Sequence, residues 1–211
     1  MNPVSSIFLA AALVSAFINW IAVGRNKTIL EYISKPTSTV AFLFVLATVD
    51  VVHDASWGWR IAAFVFCLFG DVFLMLPRDA FVPGLASFAI AQVLFTVGFA
   101  TGETTTGRMI VGLLFAVPTA ALLARRFISA IRTAGHPELV VPVATYMVVI
   151  SAMAVGAISE GSSVAIAGAL IFMVSDSLIA EARFVKERPW HSVGIMVTYH
   201  LALAGLAVGV L

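Results

Sequence analysis

The chain has 211 residues, of which 61% are hydrophobic and only 11% charged, where an ordinary soluble domain is about a quarter charged. Its formal net charge is +1 and no basic stripe runs along any segment, which argues against a nucleic-acid partner. The one cysteine, Cys67, lies inside an apolar run, so an intramolecular disulfide is excluded and a cysteine-based zinc site is not supported.

Apolar runs divided by polar breaks predict an all-α, polytopic transmembrane bundle of about eight helices, near 4–23, 37–53, 59–76, 81–101, 108–125, 139–158, 162–184 and 190–210. Met1 to Ser6 contains no Lys or Arg, so the first run reads as a retained helix rather than a signal peptide. The second is expected to begin after the break at Lys35-Pro36, and Asp50, His53 and Asp54 to be wet residues at its far end. Pro77-Arg78-Asp79 separates the third and fourth, and Arg188-Pro189 the last two. Gly98 with Gly102, and Gly205 with Gly209, have the four-residue spacing of close helix packing. Connections are short, and residues 1–211 read as a single integral membrane domain.

Of the 12 Lys and Arg residues, all but Arg60 and Arg108 fall on one set of loops. The positive-inside rule puts that set in the cytoplasm and both termini outside. Trp57 and Trp59 then mark the outer interface, and Trp20 and Trp190 the inner one. The Ala- and Val-rich chain suggests a bacterial inner (cytoplasmic) membrane. Asp71 in Leu68–Leu74 recurs as Asp176 in Met173–Ile179, 105 positions on, and an Arg follows each by seven: Arg78 and Arg183. This echo predicts two four-helix halves related by an axis along the membrane normal.

A charge at the bilayer centre costs about 2.5–3.5 kcal/mol on insertion scales, so Asp71 and Asp176 should face the bundle interior or a wet cavity. Counting by helical rise places both in the cytoplasmic half at similar depth. They could bond neighbouring helices, relay protons or contact a substrate. Gln92, Tyr146, Tyr199 and His200 fall near mid-membrane and have the same alternatives. No P-loop, dinucleotide fingerprint, HExxH or GxSxG occurs.

Phe69-Gly70-Asp71-Val72-Phe73-Leu74-Met75-Leu76-Pro77, followed by Phe81, Gly84 and Phe88, resembles the first signature of the YhhN-like lysoplasmalogenase family. The run Gly168 to Ala180 with Arg183-Phe184 resembles the second, and Lys35-Pro36 and Tyr146 to Met153 resemble two further segments. Two positions depart from the pattern: Gln92 stands where a His is expected, and Tyr199-His200-Leu201-Ala202-Leu203 where Tyr-Tyr-x-Ala-Gln is expected. The resemblance implies hydrolysis of the vinyl ether of lysoplasmalogens, giving a fatty aldehyde and a glycerophospho-ethanolamine or -choline, with no metal or organic cofactor. A small lipid or solute transporter of the same topology is the alternative, because intramembrane carboxylates also suit alternating access.

Vinyl ether cleavage begins with protonation of the β-carbon, so it needs a carboxylic acid that is neutral near pH 7 beside an ionised one. Glycosidases divide two carboxyls in a similar way. Asp71 and Asp176 are the expected catalytic pair. Lys35, Arg78 and Arg183 are expected to hold the phosphate of the lysophospholipid at the membrane surface, and Gln92, Tyr146, Tyr199 and His200 to contact the rest of it. The orientation is open to a direct measurement. A reporter fused after the last helix should read as external, and a cytoplasmic signal would reverse the assignment.

Overall fold

The computed structural model describes residues 1–50, 55–78 and 80–210; His53, Asp54 and Asp79 lie outside them. Eight helices are long and apolar enough to cross a membrane: α1 (Pro3–Gly24), α2 (Thr28–Thr48), α3 (Ala55–Met75), α4 (Phe81–Thr101), α5 (Thr106–Thr133), α6 (Val140–Glu160), α7 (Ser163–Ala180) and α8 (His191–Val208). A 3₁₀ turn, Pro137–Leu139, precedes α6, and a π-helical turn, Glu181–Val185, prolongs α7. No strand occurs among the described residues. Large apolar side chains such as Ile7, Leu114 and Val141 point outward, as a surface solvated by lipid requires.

Two helix boundaries differ most from the sequence reading. Helix α2 begins at Thr28, nine residues before the expected start, and carries Pro36 inside it. Proline removes one backbone donor, which in water commonly ends a helix. In a membrane helix, nearby hydroxyls can stabilise the weakened turn. Ser34 donates to the Leu30 carbonyl, Thr37 to the Ile33 carbonyl and Ser38 to the Lys35 carbonyl, each at 2.7 Å. Lys35 is therefore a buried residue of the bundle and not part of a loop. Helix α5 runs to Thr133, so Arg125, Arg126 and Arg132 are helical. Arg60 is likewise buried on α3. The basic residues left at helix ends still cluster on one side of the bundle.

The packing has an internal pattern. Helix α1 packs on α2, α2 on α3 and α3 on α4; α5 packs on α6, α6 on α7 and α7 on α8. The cross-pairs α2 with α8 and α4 with α6 are also equivalent when α1–α4 is laid over α5–α8. Two four-helix halves joined in this way match the arrangement expected from the echo around the two aspartates. The symmetry breaks at the edge, where α1 also packs on α8, while α5 buries only Gly112, Ala116, Phe127 and Ile131.

Helices α7 and α8 approach closely at two glycines. A Cβ on Gly168 would lie 2.8 Å from the Leu206 backbone nitrogen, and one on Gly205 would lie 2.7 Å from the Gly168 Cα. Both are backbone collisions that no rotamer change relieves. At the end of the bundle away from the basic cluster, Arg60 forms an ion pair with Glu160 of α6 and stacks 4.8 Å from the Phe99 ring of α4. Arg108 of α5 donates to the Glu160 carbonyl at 2.9 Å. The two arginines left outside the basic cluster thus tie four helices together.

Because the α7–α8 contact is backbone against backbone, Gly168→Val should destabilise the fold by at least the ~1–3 kcal/mol typical of overpacking. Thermal unfolding in detergent would reveal it, and an unchanged midpoint would mean that the helices can separate freely.

Candidate active site

Asp71 follows Gly70 on α3. The absence of a side chain at Gly70 lets the Phe88 ring of α4 lie where a Cβ would be, 2.5 to 2.8 Å from three ring atoms. Phe88 thereby packs the α4 side, while the carboxyl meets α2 and α8. It is fully buried. Its Oδ2 accepts hydrogen bonds from Thr39 Oγ1 at 2.6 Å and from the Tyr199 hydroxyl at 2.9 Å. Its Oδ1 faces the Lys35 ammonium at 3.4 Å. Lys35 and Thr39 are four residues apart, so both project from one face of α2. A buried charge is tolerable only when paired and hydrogen-bonded, and Asp71 has both kinds of partner.

Asp176 is in a different setting. It accepts one short hydrogen bond, from the Tyr146 hydroxyl of α6, and faces no cation at comparable distance among the described contacts. It is less deeply buried than Asp71.

Both carboxyls line one cavity of about 460 Å³, together with Lys35, Tyr199, Arg183 and Glu31. That size lies within the range of small-molecule sites. An almost wholly apolar crevice adjoins it between α4, α5, α6 and α7, walled by Leu123, Phe127, Met147 and Ile150. Asp176, Leu74, Phe81, Phe88 and Ile179 line both spaces. Asp176 therefore stands at the boundary between a charged chamber and an apolar one. The π-helical turn contributes Ala182 and Arg183 to the chamber's lining, and the Arg183 guanidinium lies 4.1 Å over the Phe81 ring. Such turns are uncommon and are often found at functional sites.

Of the residues picked out from sequence, Lys35, Asp71, Asp176, Arg183 and Tyr199 meet in the charged cavity, and Tyr146 lines the crevice. Arg78 does not join them; it is exposed in the turn after α3. Gln92 is buried within α4 and lines neither space. His200 is buried with both ring nitrogens occupied, by Trp20 and Ser38, so it has none left for a ligand. Sequence reasoning missed Thr39, whose spacing from Lys35 would have placed it on the same face. It also missed Phe88 as a wall shared by both chambers. Among the described residues, no three His, Cys, Asp or Glu side chains converge as a metal site would require.

The YhhN family profile matches residues 30–210. The chain is 32% identical over 133 residues to human (Homo sapiens) lysoplasmalogenase TMEM86B, a match covering 63% of this chain and 54% of that protein. It is 28% identical over 160 residues to the pig (Sus scrofa) lysoplasmalogenase TMEM86B, covering 74% and 66%. To the rat (Rattus norvegicus) lysoplasmalogenase TMEM86B it is 27% identical over 187 residues, covering 88% and 75%. The matched stretch thus spans about half the length of the human relative and about two thirds of the pig one. No solved structure matches the chain.

The contacts of Asp71 predict a specific coupling. Lys35→Met removes the counter-ion of a buried carboxylate and should cost about 3–5 kcal/mol, the usual penalty for breaking a buried pair from one side. Adding Asp71→Asn should recover much of that loss, because no uncompensated charge remains. Unfolding midpoints of the two single variants and the double variant would test this, and simple additivity would mean that the pair is not coupled.

Proposed function

The chain belongs to the YhhN family, and on that premise we propose that it is a lysoplasmalogenase, cleaving the vinyl ether of a lysoplasmalogen to a fatty aldehyde and a glycerophospho-ethanolamine or -choline. The observation that carries this reading is Asp176 at the junction of the two chambers, across one cavity from Asp71. A lysoplasmalogen has the same division: one alkenyl chain, one charged head group, and the reactive bond between them. Its chain matches the apolar lining of the crevice, its phosphate the end of the cavity near Arg183, and its vinyl ether the boundary.

The chemistry follows from the two environments. Asp176, with one hydroxyl donor and the apolar crevice on one side, is placed to act as the acid; Asp71, facing an ammonium and two hydroxyls, is placed to act as the base. Asp176 delivers its proton to the β-carbon of the vinyl ether. The double-bond electrons form the new C–H bond and leave an oxocarbenium ion on the α-carbon. Asp71 stabilises that cation and takes a proton from the water that adds to it. The resulting hemiacetal collapses: the glycerol oxygen takes the proton held on Asp71 as its C–O bond breaks, and the hemiacetal hydroxyl gives its proton to Asp176, which restores both carboxyls and yields the aldehyde and the glycerophospho product. Water is the only co-reactant.

Lys35 takes a different role from the one its position before Pro36 suggested. Its ammonium lies against Asp71, so it orients the carboxylate and also borders the chamber for the phosphate. Its replacement is expected to lower turnover as well as binding. The ion pair of Arg60 with Glu160 at the far end of the bundle is more consistent with a chamber open at one end than with a path through the membrane. We assign the basic end, and with it the cavity mouth, to the cytoplasmic side.

Detergent-purified protein should release aldehyde from lysoplasmenyl-ethanolamine and none from its saturated ether analogue, which has no β-carbon to protonate. Asp71→Asn and Asp176→Asn should each abolish most of this activity per folded molecule, and the double variant should be little worse, because groups acting as a unit lose activity non-additively. Full activity in either single variant would remove that residue from the mechanism. Lipid transport without aldehyde release would favour a transporter.

A further inference from the structure

We propose that His200 is a positioning residue for the Lys35–Asp71 pair, locked by Trp20 as the Nε2–H tautomer and acting through Ser38. The catalytic consequence rests on the hydrolase reading above; the geometry of the relay does not.

With the nearer of its two acceptors taken as the partner of the Trp20 indole N–H, donor chemistry sets the direction of the hydrogen bonds that follow. The Trp20 indole Nε1 lies 3.0 Å from His200 Nδ1. An indole N–H only donates, so Nδ1 accepts, and the ring carries its single proton on Nε2. His200 Nε2 is 2.7 Å from Ser38 Oγ, to which it must then donate. The one hydroxyl hydrogen of Ser38 is left for the Lys35 carbonyl, 2.7 Å away. The relay runs indole to imidazole to hydroxyl to carbonyl, and joins α1, α8 and α2. Ser38 and His200 are buried. The indole N–H also reaches the Met196 carbonyl at 3.2 Å, which anchors the ring plane to α8.

The relay ends where α2 is weakest. Lys35 precedes Pro36, and the proline ring disfavours helical dihedrals at the residue before it. Lys35 is also the residue whose ammonium stands 3.4 Å from Asp71 Oδ1. A small rotation of this turn would swing the four-carbon side chain away from the carboxylate. On the other side of His200 in sequence, Tyr199 donates to Asp71 Oδ2 at 2.9 Å, and the Lys35 ammonium lies 5.8 Å from its ring centroid. Anchoring His200 therefore fixes two partners of Asp71 at once, Tyr199 through the α8 backbone and Lys35 through Ser38.

Two measurements test the proposal. The first is independent of catalysis. The chain has three lysines, and Lys27 and Lys186 are exposed. Timed acylation of the detergent-purified protein, followed by mass spectrometry, should find Lys35 shielded relative to those two. His200→Phe, which keeps the ring bulk and removes both nitrogens, and Ser38→Ala, the milder variant should the first fold poorly, should each raise Lys35 labelling several-fold without changing Lys27 or Lys186. Unchanged Lys35 labelling in both variants overturns the proposal.

The second measurement is kinetic. Each variant should lower kcat for lysoplasmenyl-ethanolamine about tenfold and raise KM by less than that, because Lys35 leaves Asp71 but keeps its charge beside the chamber. The double variant should be no worse than either alone, because both break one path. His200→Gln, whose amide keeps a donor for Ser38, should recover part of the turnover; a packing defect would not show that pattern. Additive losses, or wild-type kcat in His200→Phe, overturn the proposal. If the wild type releases no aldehyde, the hydrolase reading fails, while the labelling result still decides the relay.

Discussion

Asp71 is a carboxylate with no exposed surface inside a bundle whose outer face meets lipid, and the arrangement around it depends on neutralising that charge. Desolvating an ion in such a setting is tolerable only when a counter-ion and hydrogen-bond donors replace the lost water. The donors come from two other helices: Lys35 and Thr39 from α2, and Tyr199 from α8. That demand explains why α2 continues helically through Pro36. Ending the helix at the proline would release the turn that carries Lys35. It also explains the hydroxyls at Ser34, Thr37, Ser38 and Thr39, which stabilise that stretch or reach Asp71 directly.

The two halves of the bundle use one helix arrangement for different ends. Asp71 and Asp176 occupy corresponding places on α3 and α7, and each accepts a hydrogen bond from a tyrosine. Beyond that their surroundings diverge. The first half supplies an ammonium and a threonine hydroxyl, while the second opens beside Asp176 into an apolar crevice. A symmetric pair would have two equivalent carboxyls and no division of labour. The proposed reaction uses that divergence, with Asp71 beside a cation and Asp176 beside the apolar crevice.

The ends of the bundle differ in the same practical sense. Away from the cavity, Arg60, Glu160, Phe99 and Arg108 connect α3, α4, α5 and α6 through an ion pair, a stacked guanidinium and a carbonyl contact. Near the cavity, α7 loosens into a π-helical turn bearing Arg183, and α5 is tied to it by the two-pronged contact of Arg126 with Glu181 at 2.7 and 2.9 Å. The better-braced end fixes the helix spacing. In the proposed reaction, the end bearing the π-helical turn is where the lipid would enter.

The sequence by itself determined the number of crossing helices, the clustering of basic residues at one end, the correspondence of Asp71 with Asp176, and the family. Those properties are written in composition and in local order: apolar runs of membrane length, the side on which Lys and Arg fall, and short signatures around each aspartate. Tertiary structure decided that Lys35 is Asp71's counter-ion rather than a surface cation, that Arg78 and Gln92 do not line the cavity, and that His200 is fully engaged by Trp20 and Ser38. Proline punctuation misled at α2 because its rule reflects water as the helix's surroundings, whereas here hydroxyls and packed neighbours stabilise the turn. Which partner a buried polar group meets depends on helix rotation and on contacts between segments up to 180 residues apart, such as Trp20 with His200. No local pattern encodes those contacts, because they exist only once the helices have packed.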